Sequence, residues 1–271
     1  MLFMDTYIEK YVQYKKKIIF DFKLGDGGIG DCIKYFMFTL TWCVRFNYKL
    51  YYLVNNTTIE KLLLLKYKKM YIQKEDISDS RNINRHENVI GVIENINEDI
   101  NYIVFPGTFY DVINYDIINI NIQDVFQFSD NVIDNSIRLL PANITDYISI
   151  HLRLGDKYLE TDKSYIACLE DERKYNENKI FEFIEKHSTE NILFFCDNNS
   201  CKLTLKSIYN NIIITNSDIG HTGLINTTEN QVLDTVTEFY ILTNSKLICA
   251  ASPSGFSMVA SKFKNTPIVH I

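Results

Sequence analysis

The sequence predicts an α/β fold with parallel, doubly wound sheets in two successive domains. Short apolar strands alternate with segments of helical periodicity along most of the chain, which is typical of such sheets. The 271 residues are enough for two domains, each of about 130 residues. We expect an N-terminal domain over residues 1–140 and a C-terminal domain over 141–271, because the turn Pro141-Ala142-Asn143 separates two patterned regions.

The composition is that of a soluble globular protein. Hydrophobic residues make up 46% of the chain and charged residues 23%. The formal net charge of −6, without a long basic run, argues against a general nucleic-acid binder but is compatible with a local phosphate pocket. Asp5 and Glu9 interrupt the start of the chain, so it does not read as a signal peptide. No apolar run approaches the roughly 18 residues that span a bilayer, and we expect a cytoplasmic protein.

The six cysteines are expected to be reduced thiols, most of them buried. They form no CxxC pair, and the chain shows no secretory context. Cys196 and Cys201 lie close together, but no second pair of ligands follows them. We therefore predict no zinc site and no other bound metal.

A glycine-rich loop follows the first predicted strand, residues 17–24. The loop Gly25-Asp26-Gly27-Gly28-Ile29-Gly30-Asp31 leads into a helix over 32–46 and a strand over 50–54. Its glycines allow backbone amides to approach a ligand. The loop matches G-x-G-x-x-G, yet the next strand runs into Asn55-Asn56 and carries no acidic residue at its end, which disfavours an NAD site.

Between this unit and the predicted boundary the pattern is weaker. We interpret Leu62–Leu65 as the apolar stripe of a lysine-rich helix, Val89–Ile93 as a short strand, and residues 102–105 as another strand. A helix is predicted over 131–140, just before Pro141.

In the second half, polar residues follow three apolar strands. Predicted strands cover 147–152, 192–195, 212–215, 246–250 and 267–271, with helices over 178–187, 201–209, 228–243 and 256–263. In a parallel sheet, ligands bind outside the carboxyl ends of the strands. The polar groups at these ends are His151, Arg153 and Asp156, then Asp197 and Asn198, and finally Ser252, Ser254, Gly255 and Ser257.

These groups predict a phosphate-bearing ligand. Arg153 offers a planar fork of donors that matches two phosphate oxygens. The turn at Ser254 opens a helix, whose free amides and dipole also favour an anion. Two simpler readings remain open: an Arg153–Asp156 pair that only ties the turn together, and serines at 254 and 257 that act as plain helix caps.

Three stretches of the chain, in order, resemble one enzyme family. GGIGDCIKYFMFTLTWCVRFNYKLYYL resembles the N-terminal loop, helix and strand of the α1,2-, α1,6- and protein O-fucosyltransferases. HLRLGDK resembles their His-x-Arg-x-x-Asp motif, and EFYILTNSKLICAASPSGFSMVASKF resembles their last motif. The resemblance implies a GT-B fold, in which two Rossmann-like domains face each other across a cleft. It implies an inverting, metal-independent transfer of fucose from GDP-fucose, with no cofactor, to a glycan acceptor.

The resemblance also assigns roles to residues of the second half. It implies that Arg153 holds the β-phosphate together with Ser254 and the amides of Gly255 and Phe256, and that His151 lies against the guanosine. Glu238 stands sixteen residues before Ser254, as does an acid facing guanine in the α1,6 members. A helix-surface charge is an equally good reading of Glu238. The remaining donor-side residues implied by the motifs are Asp156, Lys157, Asp197 and Ser257, with Gly28 and Gly30 in the glycine loop.

The chemistry requires a clamp on the leaving diphosphate and a base for the acceptor hydroxyl. Arg153, Lys157 and the helix end would form the clamp, and Glu160 and Asp31 are the candidate bases. Two positions depart from the family: Asp31 replaces a frequent asparagine, and Leu154 stands where a second arginine sometimes occurs. Two alternatives therefore remain: a transferase that uses another nucleotide sugar, and a non-catalytic protein of this fold that binds a nucleotide or glycan.

Overall fold

The chain forms two compact α/β units. The computed structural model describes residues 2–113, 120–141, 144–160 and 170–271. The units are Met1–Gln127 and Phe128–Ile271. The sequence placed the division after the helix of residues 131–140, whereas this helix packs within the second unit. Residues 142 and 143 of the predicted boundary turn, and Cys168, lie outside the described residues.

The first unit is built on a parallel sheet of five strands in the order β4-β2-β1-β6-β5. Its strands are β1 Lys17–Asp21, β2 Lys49–Leu53, β4 Tyr71–Ile72, β5 Ser80–Asn82 and β6 Asn101–Val104. A separate two-stranded sheet joins β3 Leu63–Leu65 to β7 Phe126–Phe128. The helices are α1 Leu2–Lys10, α2 Ile29–Phe46, α3 Thr58–Leu62, α4 Val89–Glu94 and α5 Ile122–Val125.

Helix α2 covers the centre of this sheet because its apolar residues recur at three- and four-residue spacing. The Phe36 ring meets the Phe20 ring of β1 edge-on, with 5.5 Å between their centroids. The helix ends at Asn47, which adopts the left-handed conformation (φ 58°) that asparagine tolerates. The central prediction for the first half, a strand followed by a glycine-rich loop and a long helix, is confirmed.

Two short elements were predicted wrongly. Val89–Ile93 is helical rather than a strand, because the Asn88 side chain accepts a hydrogen bond from the Gly91 N–H and starts a helix that buries Val89 and Ile93 on one face. The Leu63–Leu65 run is a strand rather than a helical stripe, since it pairs with β7 far along the chain. Short apolar runs do not distinguish strand from helix by periodicity alone.

The second unit has a second parallel sheet, in the order β10-β9-β8-β11-β12. Its strands are β8 Ile148–Leu152, β9 Ile192–Cys196, β10 Ile212–Ile213, β11 Ile248–Ala250 and β12 Ile268–His270. Its helices are α6 Asp130–Leu139, α7 Glu177–Lys186, α8 Asn199–Ile208, α9 Glu229–Thr243 and α10 Gly255–Lys264. The order of strands reverses between β8 and β11, and such switch points are where open α/β sheets bind ligands.

The core of the second unit lies on both faces of β8 and β9. Every residue of these two strands is buried, as expected for a parallel sheet covered by helices on both sides. Helix α6 belongs to this unit because it packs along α9: Asn135 Nδ2 donates to Asp234 Oδ1 and to Thr237 Oγ1, each at 2.9 Å. Within the part of the chain that the structure describes, no helix is both long and apolar enough to cross a membrane.

Candidate functional site

The chain turns sharply at the end of β8, and this turn is built around Gly155. Gly155 has φ 111°, and a Cβ atom there would lie 2.3 Å from the carbonyl oxygen of Asp171, so only glycine fits. Asp197, which directly follows β9, accepts the N–H groups of Leu154 at 2.7 Å and of Gly155 at 3.0 Å. The carboxylate of Asp197 therefore fixes the backbone of the turn that carries Arg153.

The guanidinium of Arg153 is held between two carboxylates. One terminal nitrogen lies 2.9 Å from Asp197 Oδ2, and the other bonds Asp156 Oδ1. The Arg153–Asp156 pair anticipated as a simple tie therefore exists. An arginine has five N–H donors, and these contacts use two of them. The side chain keeps 17% of its surface exposed, so the other donors can reach a ligand.

Ser252 connects the ends of β11 and β8 at the switch point. Its hydroxyl accepts the Arg153 N–H at 2.8 Å and donates to the Arg153 carbonyl oxygen at 2.8 Å. Ser252 is buried, and its hydroxyl is fully used in these two bonds. It positions the backbone of Arg153 and does not engage the Arg153 side chain.

The turn after Ser252 opens α10 with unused amide donors. Ser254 Oγ accepts the Phe256 N–H at 3.2 Å, so Ser254 is a helix cap, and Ser257 Oγ donates to the Ser254 carbonyl oxygen at 3.3 Å. The N–H groups of Gly255 and Ser257 find no acceptor within the described ranges. A Cβ atom added to Gly255 would meet nothing within 4 Å, so this end of the helix faces open space. Free amides at a helix start are suited to an anion.

His151 is buried and neutral beside this helix end. Its ring stacks on the Phe256 ring, with centroids 5.1 Å apart and planes 19° apart. Burial, with smaller contributions from the charges of Arg153 and Lys202, lowers the pKa of His151 to about 3. Its Nδ1 atom is buried and has no hydrogen-bond partner among the residues described. The histidine thus presents an uncharged aromatic surface at the strand end.

Glu238 lies inside α9 and takes part in a buried network. Its Oε1 atom accepts the Lys202 ammonium at 2.6 Å, the Ser217 hydroxyl at 2.5 Å, and the Thr215 hydroxyl. The alternative that Glu238 is a helix-surface charge is wrong, because the residue is only 6% exposed. Its predicted contact with a guanine base stays a prediction.

The other predicted residues of the second unit lie near its surface. Lys157 pairs with Glu172 at 2.7 Å, and this bond raises the pKa of the lysine. Glu160 is exposed and accepts the N–H of Ser200 at the start of α8, at 3.2 Å. Both side chains therefore have protein partners, and their roles as phosphate clamp and base stay predictions.

The predicted residues of the first unit lie at the start of α2. Gly28 precedes the helix and Gly30 is buried in its first turn. Asp31 Oδ2 accepts the Gly28 N–H at 3.3 Å, and Asp31 Oδ1 lies 2.7 Å from the Lys34 ammonium. The candidate base Asp31 is thus a helix-capping residue in this structure.

Sequence reasoning missed the polar core of the site. Lys202 was not singled out, nor were Thr215 and Ser217, although all three are buried with Glu238. A signal was present for one of them, because Lys202 stands three residues before Leu205 and so shares the apolar face of α8. A lysine on the inner face of a helix needs a buried partner.

Sequence comparisons find no match, whereas structural comparisons find solved structures of similar fold. No protein-family model and no curated protein sequence matches the chain. The NodZ α-1,6-fucosyltransferase soaked with GDP-fucose superposes with a TM-score of 0.61 at 10% identity, covering 94% of this chain and 95% of that one. A NodZ from Bradyrhizobium gives 0.59 at 9% identity, over 94% and 95% of the two chains.

Two further fucosyltransferases agree. POFUT1 in complex with GDP-fucose has a TM-score of 0.56 at 10% identity, over 95% of this chain and 98% of that one. A point mutant of FUT1 of Arabidopsis thaliana, in complex with GDP, has a TM-score of 0.55 at 10% identity, over 100% of this chain and 74% of that one. The chain shares its fold with these solved fucosyltransferase structures. The fold class predicted from the sequence is therefore confirmed, and so is the resemblance from which GT-B was inferred.

The observed site lies at the carboxyl end of the second parallel sheet. Arg153, His151 and the start of α10 converge there from β8 and from the segment after β11. Over the described ranges, no group of three His, Cys, Asp or Glu side chains is arranged to hold a metal ion.

Proposed function

We propose that the protein transfers fucose from GDP-fucose to a hydroxyl group of a glycan, by an inverting reaction that needs no metal. The observation that carries the proposal is the pair of donor groups at the β8/β11 switch point. Arg153 keeps unused N–H groups there, and the first amides of α10 are unused as well. Solved structures of this fold include NodZ and POFUT1 with GDP-fucose.

In this mechanism the diphosphate of the donor binds Arg153 and the amides of Gly255 and Ser257. As the bond from fucose C1 to the phosphate oxygen breaks, negative charge develops on the leaving GDP. A positioned guanidinium and helix N-terminus stabilise that charge without rearranging. Asp156 and Asp197 hold the guanidinium in place from the other side. The neutral ring of His151 offers an apolar surface beside the nucleoside.

The acceptor hydroxyl attacks C1 from the opposite face and loses its proton to a base. Glu160 and Asp31 are the candidates that the motifs provide. General base catalysis contributes roughly 10²–10⁴ to the rate. Replacing each carboxylate by its amide therefore tests the assignment directly.

Thermal stabilisation by nucleotides tests the donor site. GDP, GDP-fucose, GDP-mannose, UDP-galactose and NAD are compared in EDTA on the wild type, Arg153→Ala and Arg153→Lys. We expect GDP and GDP-fucose to raise the melting temperature of the wild type but not of Arg153→Ala or Arg153→Lys, because neither alanine nor lysine reproduces the arginine fork. Arg138→Ala is the matched control: Arg138 lies in the same unit, is largely exposed and pairs with Asp234.

The result that contradicts the donor assignment is equally plain. Stabilisation by UDP-galactose or NAD alone would point to a different donor, and stabilisation by none of the five ligands would remove the nucleotide site. An Arg153→Ala protein that binds GDP as the wild type does would show that the site lies elsewhere.

One observation favours a second candidate, a non-catalytic protein that binds a nucleotide sugar. Both candidate bases already cap helices: Asp31 accepts an N–H at the start of α2, and Glu160 one at the start of α8. Leu154 also occupies the position where a second arginine sometimes occurs. Release of GDP from bound GDP-fucose, measured with a panel of glycan acceptors, separates the two. Binding without release supports the second candidate.

A further inference from the structure

Lys202 is a fully buried lysine whose ammonium lies in the core of the second unit. It donates to Glu238 Oε1 at 2.6 Å, to Ser217 Oγ at 2.9 Å and to Thr215 Oγ1 at 3.2 Å. Removing two charges from water is costly even when they pair, and apolar residues of similar size often serve stability equally well. A buried pair of this kind therefore calls for an explanation other than stability.

The two oxygens of the Glu238 carboxylate are used very differently. All three hydrogen bonds, from Lys202, Thr215 and Ser217, go to Oε1. No described residue donates to Oε2, and Glu238 keeps 6% of its surface exposed. A carboxylate oxygen has about two lone-pair sites, so Oε1 is saturated and Oε2 is the acceptor that remains.

This network adjoins the aromatic surface of the candidate site. The ring of Phe239, the residue after Glu238, meets the Phe256 ring edge-on, with centroids 5.0 Å apart. Phe256 in turn stacks on His151. The Lys202 ammonium is close enough to His151 for its charge to act on that ring. Lys202, and Glu238 bonded to it, therefore lie near His151, where the proposed function puts a nucleoside.

We propose that Lys202 is a positioning residue that holds the Glu238 carboxylate turned so that Oε2 alone accepts one ring N–H of the bound nucleobase. The inference rests on the proposed nucleotide site and adds the way in which the base is selected. A purine with an N–H at ring position 1 donates to Oε2. Adenine has a lone pair at that position and is repelled by the carboxylate.

A carboxylate with one accepting oxygen should distinguish guanine from hypoxanthine less well than a carboxylate with two accepting oxygens. Guanine carries an N1–H and a 2-amino group, and a carboxylate with both oxygens free would accept from both. Hypoxanthine keeps the N1–H but lacks the 2-amino group. Because Oε1 is saturated, the second donor of guanine gains no partner from Glu238. The site should therefore hardly distinguish GDP from IDP, while it rejects ADP.

Calorimetric titration of the full chain with GDP, IDP and ADP tests the proposal. We expect the wild type to bind GDP and IDP within about threefold of each other, and ADP at least tenfold more weakly, since one charged hydrogen bond is at stake. In Lys202→Met the preference for GDP over ADP should fall to about threefold or less, with ADP affinity unchanged, because the diphosphate contacts remain. Lys206→Met, one turn along α8, is the matched control and should keep the wild-type preference.

The outcomes distinguish failure of the Lys202 positioning role from failure of the proposed function. If the wild type binds none of the three nucleotides, the proposed function itself fails. If the wild type prefers GDP over ADP and Lys202→Met keeps that preference, or loses affinity for GDP and ADP in equal proportion, the positioning role is overturned. The GDP-to-IDP ratio of the wild type needs no variant, so it remains decisive even if Lys202→Met does not fold. A GDP preference over IDP of tenfold or more overturns the single-oxygen reading.

Discussion

The carboxyl ends of the two parallel sheets carry similar polar residues, but these residues differ in whether their hydrogen-bonding groups have partners. At the end of β1 in the first unit, Asp21 accepts from Asn55 Nδ2, which also donates to the carbonyl oxygens of Phe22 and Leu53. Glu60 accepts the Asn55 N–H in the same loop. At this edge, the polar side chains mainly satisfy one another.

The carboxyl edge of the second sheet has hydrogen-bond donors that no described residue accepts. Asp197 accepts two backbone N–H groups of a turn and also holds Arg153, whose guanidinium keeps unused N–H groups. The amides of Gly255 and Ser257 add two more donors without described acceptors. The comparison teaches that residue type alone does not mark a binding site. What marks it is the balance between donors and acceptors that the protein leaves after folding.

The largest expected effect comes from replacing the aspartate at the strand end in each unit, which is Asp21 as the last residue of β1 and Asp197 directly after β9. Asp197→Ala removes the acceptor of two backbone amides and one ion-pair partner of Arg153. The side chains of Asp197 and Arg153 are both largely shielded from solvent. We expect a loss of about 3–5 kcal/mol in the free energy of unfolding, as for other broken buried pairs. Asp21→Ala should cost only about 1 kcal/mol. Asn55 keeps two other acceptors, and Lys23 is largely exposed.

Urea denaturation of the two variants and the wild type measures the difference. Equal losses in the free energy of unfolding for Asp197→Ala and Asp21→Ala would contradict the difference, because they would mean that both aspartates stabilise their sheet edges to the same extent. GDP binding adds an independent readout: only Asp197→Ala should weaken it.

The second prediction uses the buried histidine of the second edge. Burial lowers the pKa of His151 from 6.5 to about 3 in the folded chain. Below about pH 6.5 the unfolded chain binds a proton that the folded chain does not, so stability falls as the pH falls towards 3. Between pH 7.5 and 5 this amounts to about 2 kcal/mol. His151→Phe, which keeps a ring against Phe256, should remove that part of the pH dependence.

Unfolding free energies at pH 7.5, 6.5 and 5 provide the measurement. At pH 7.5 the histidine is neutral in both states, so this point serves as the internal reference for each protein. A variant whose stability falls between pH 6.5 and 5 as steeply as that of the wild type would show that His151 is not the group responsible.

The third prediction compares a glycine from each edge. Gly255 has open space around the position of a Cβ atom and no positive φ, so alanine should fold without strain. The added methyl would occupy the approach to the first amides of α10, and we expect GDP affinity to fall about tenfold with stability unchanged within about 0.5 kcal/mol. Gly25 also has open space but a φ of 99°. Gly25→Ala should instead cost about 1 kcal/mol of stability and leave GDP affinity intact.

Calorimetry measures the GDP affinity of both variants, and thermal unfolding measures their stability. We expect each variant to lose one of these two properties and to keep the other. The opposite pattern, with Gly25→Ala losing GDP and Gly255→Ala losing stability, would assign the anion to the first edge.

The sequence predicted the strong, repeated patterns and missed what depends on contacts between distant residues. The buried strand before Arg153 and the helix after Ser254 followed from local periodicity and cap chemistry. The strand Leu63–Leu65 could not, because its partner β7 lies far along the chain. For the same reason Lys202 escaped notice: its partners Thr215, Ser217 and Glu238 come from a later loop and helix.

The smallest expected effect concerns Asp31, the residue for which motif and structure suggest different roles. As a cap, its carboxylate accepts the Gly28 N–H and pairs with Lys34 at the start of α2. Asp31→Asn keeps an accepting oxygen and loses only the charge, so we expect a loss of about 0.5–1 kcal/mol in stability and unchanged GDP affinity. Glu160→Gln at the start of α8 is the matched variant.

If either carboxylate is the base, its amide variant should instead slow GDP release from GDP-fucose in the presence of an acceptor by about 100-fold or more, with the donor still bound. Because affinity and rate are measured on the same protein, a slow variant with normal affinity identifies the base. If neither variant is slowed, both residues act as helix caps, and the base lies elsewhere in the chain.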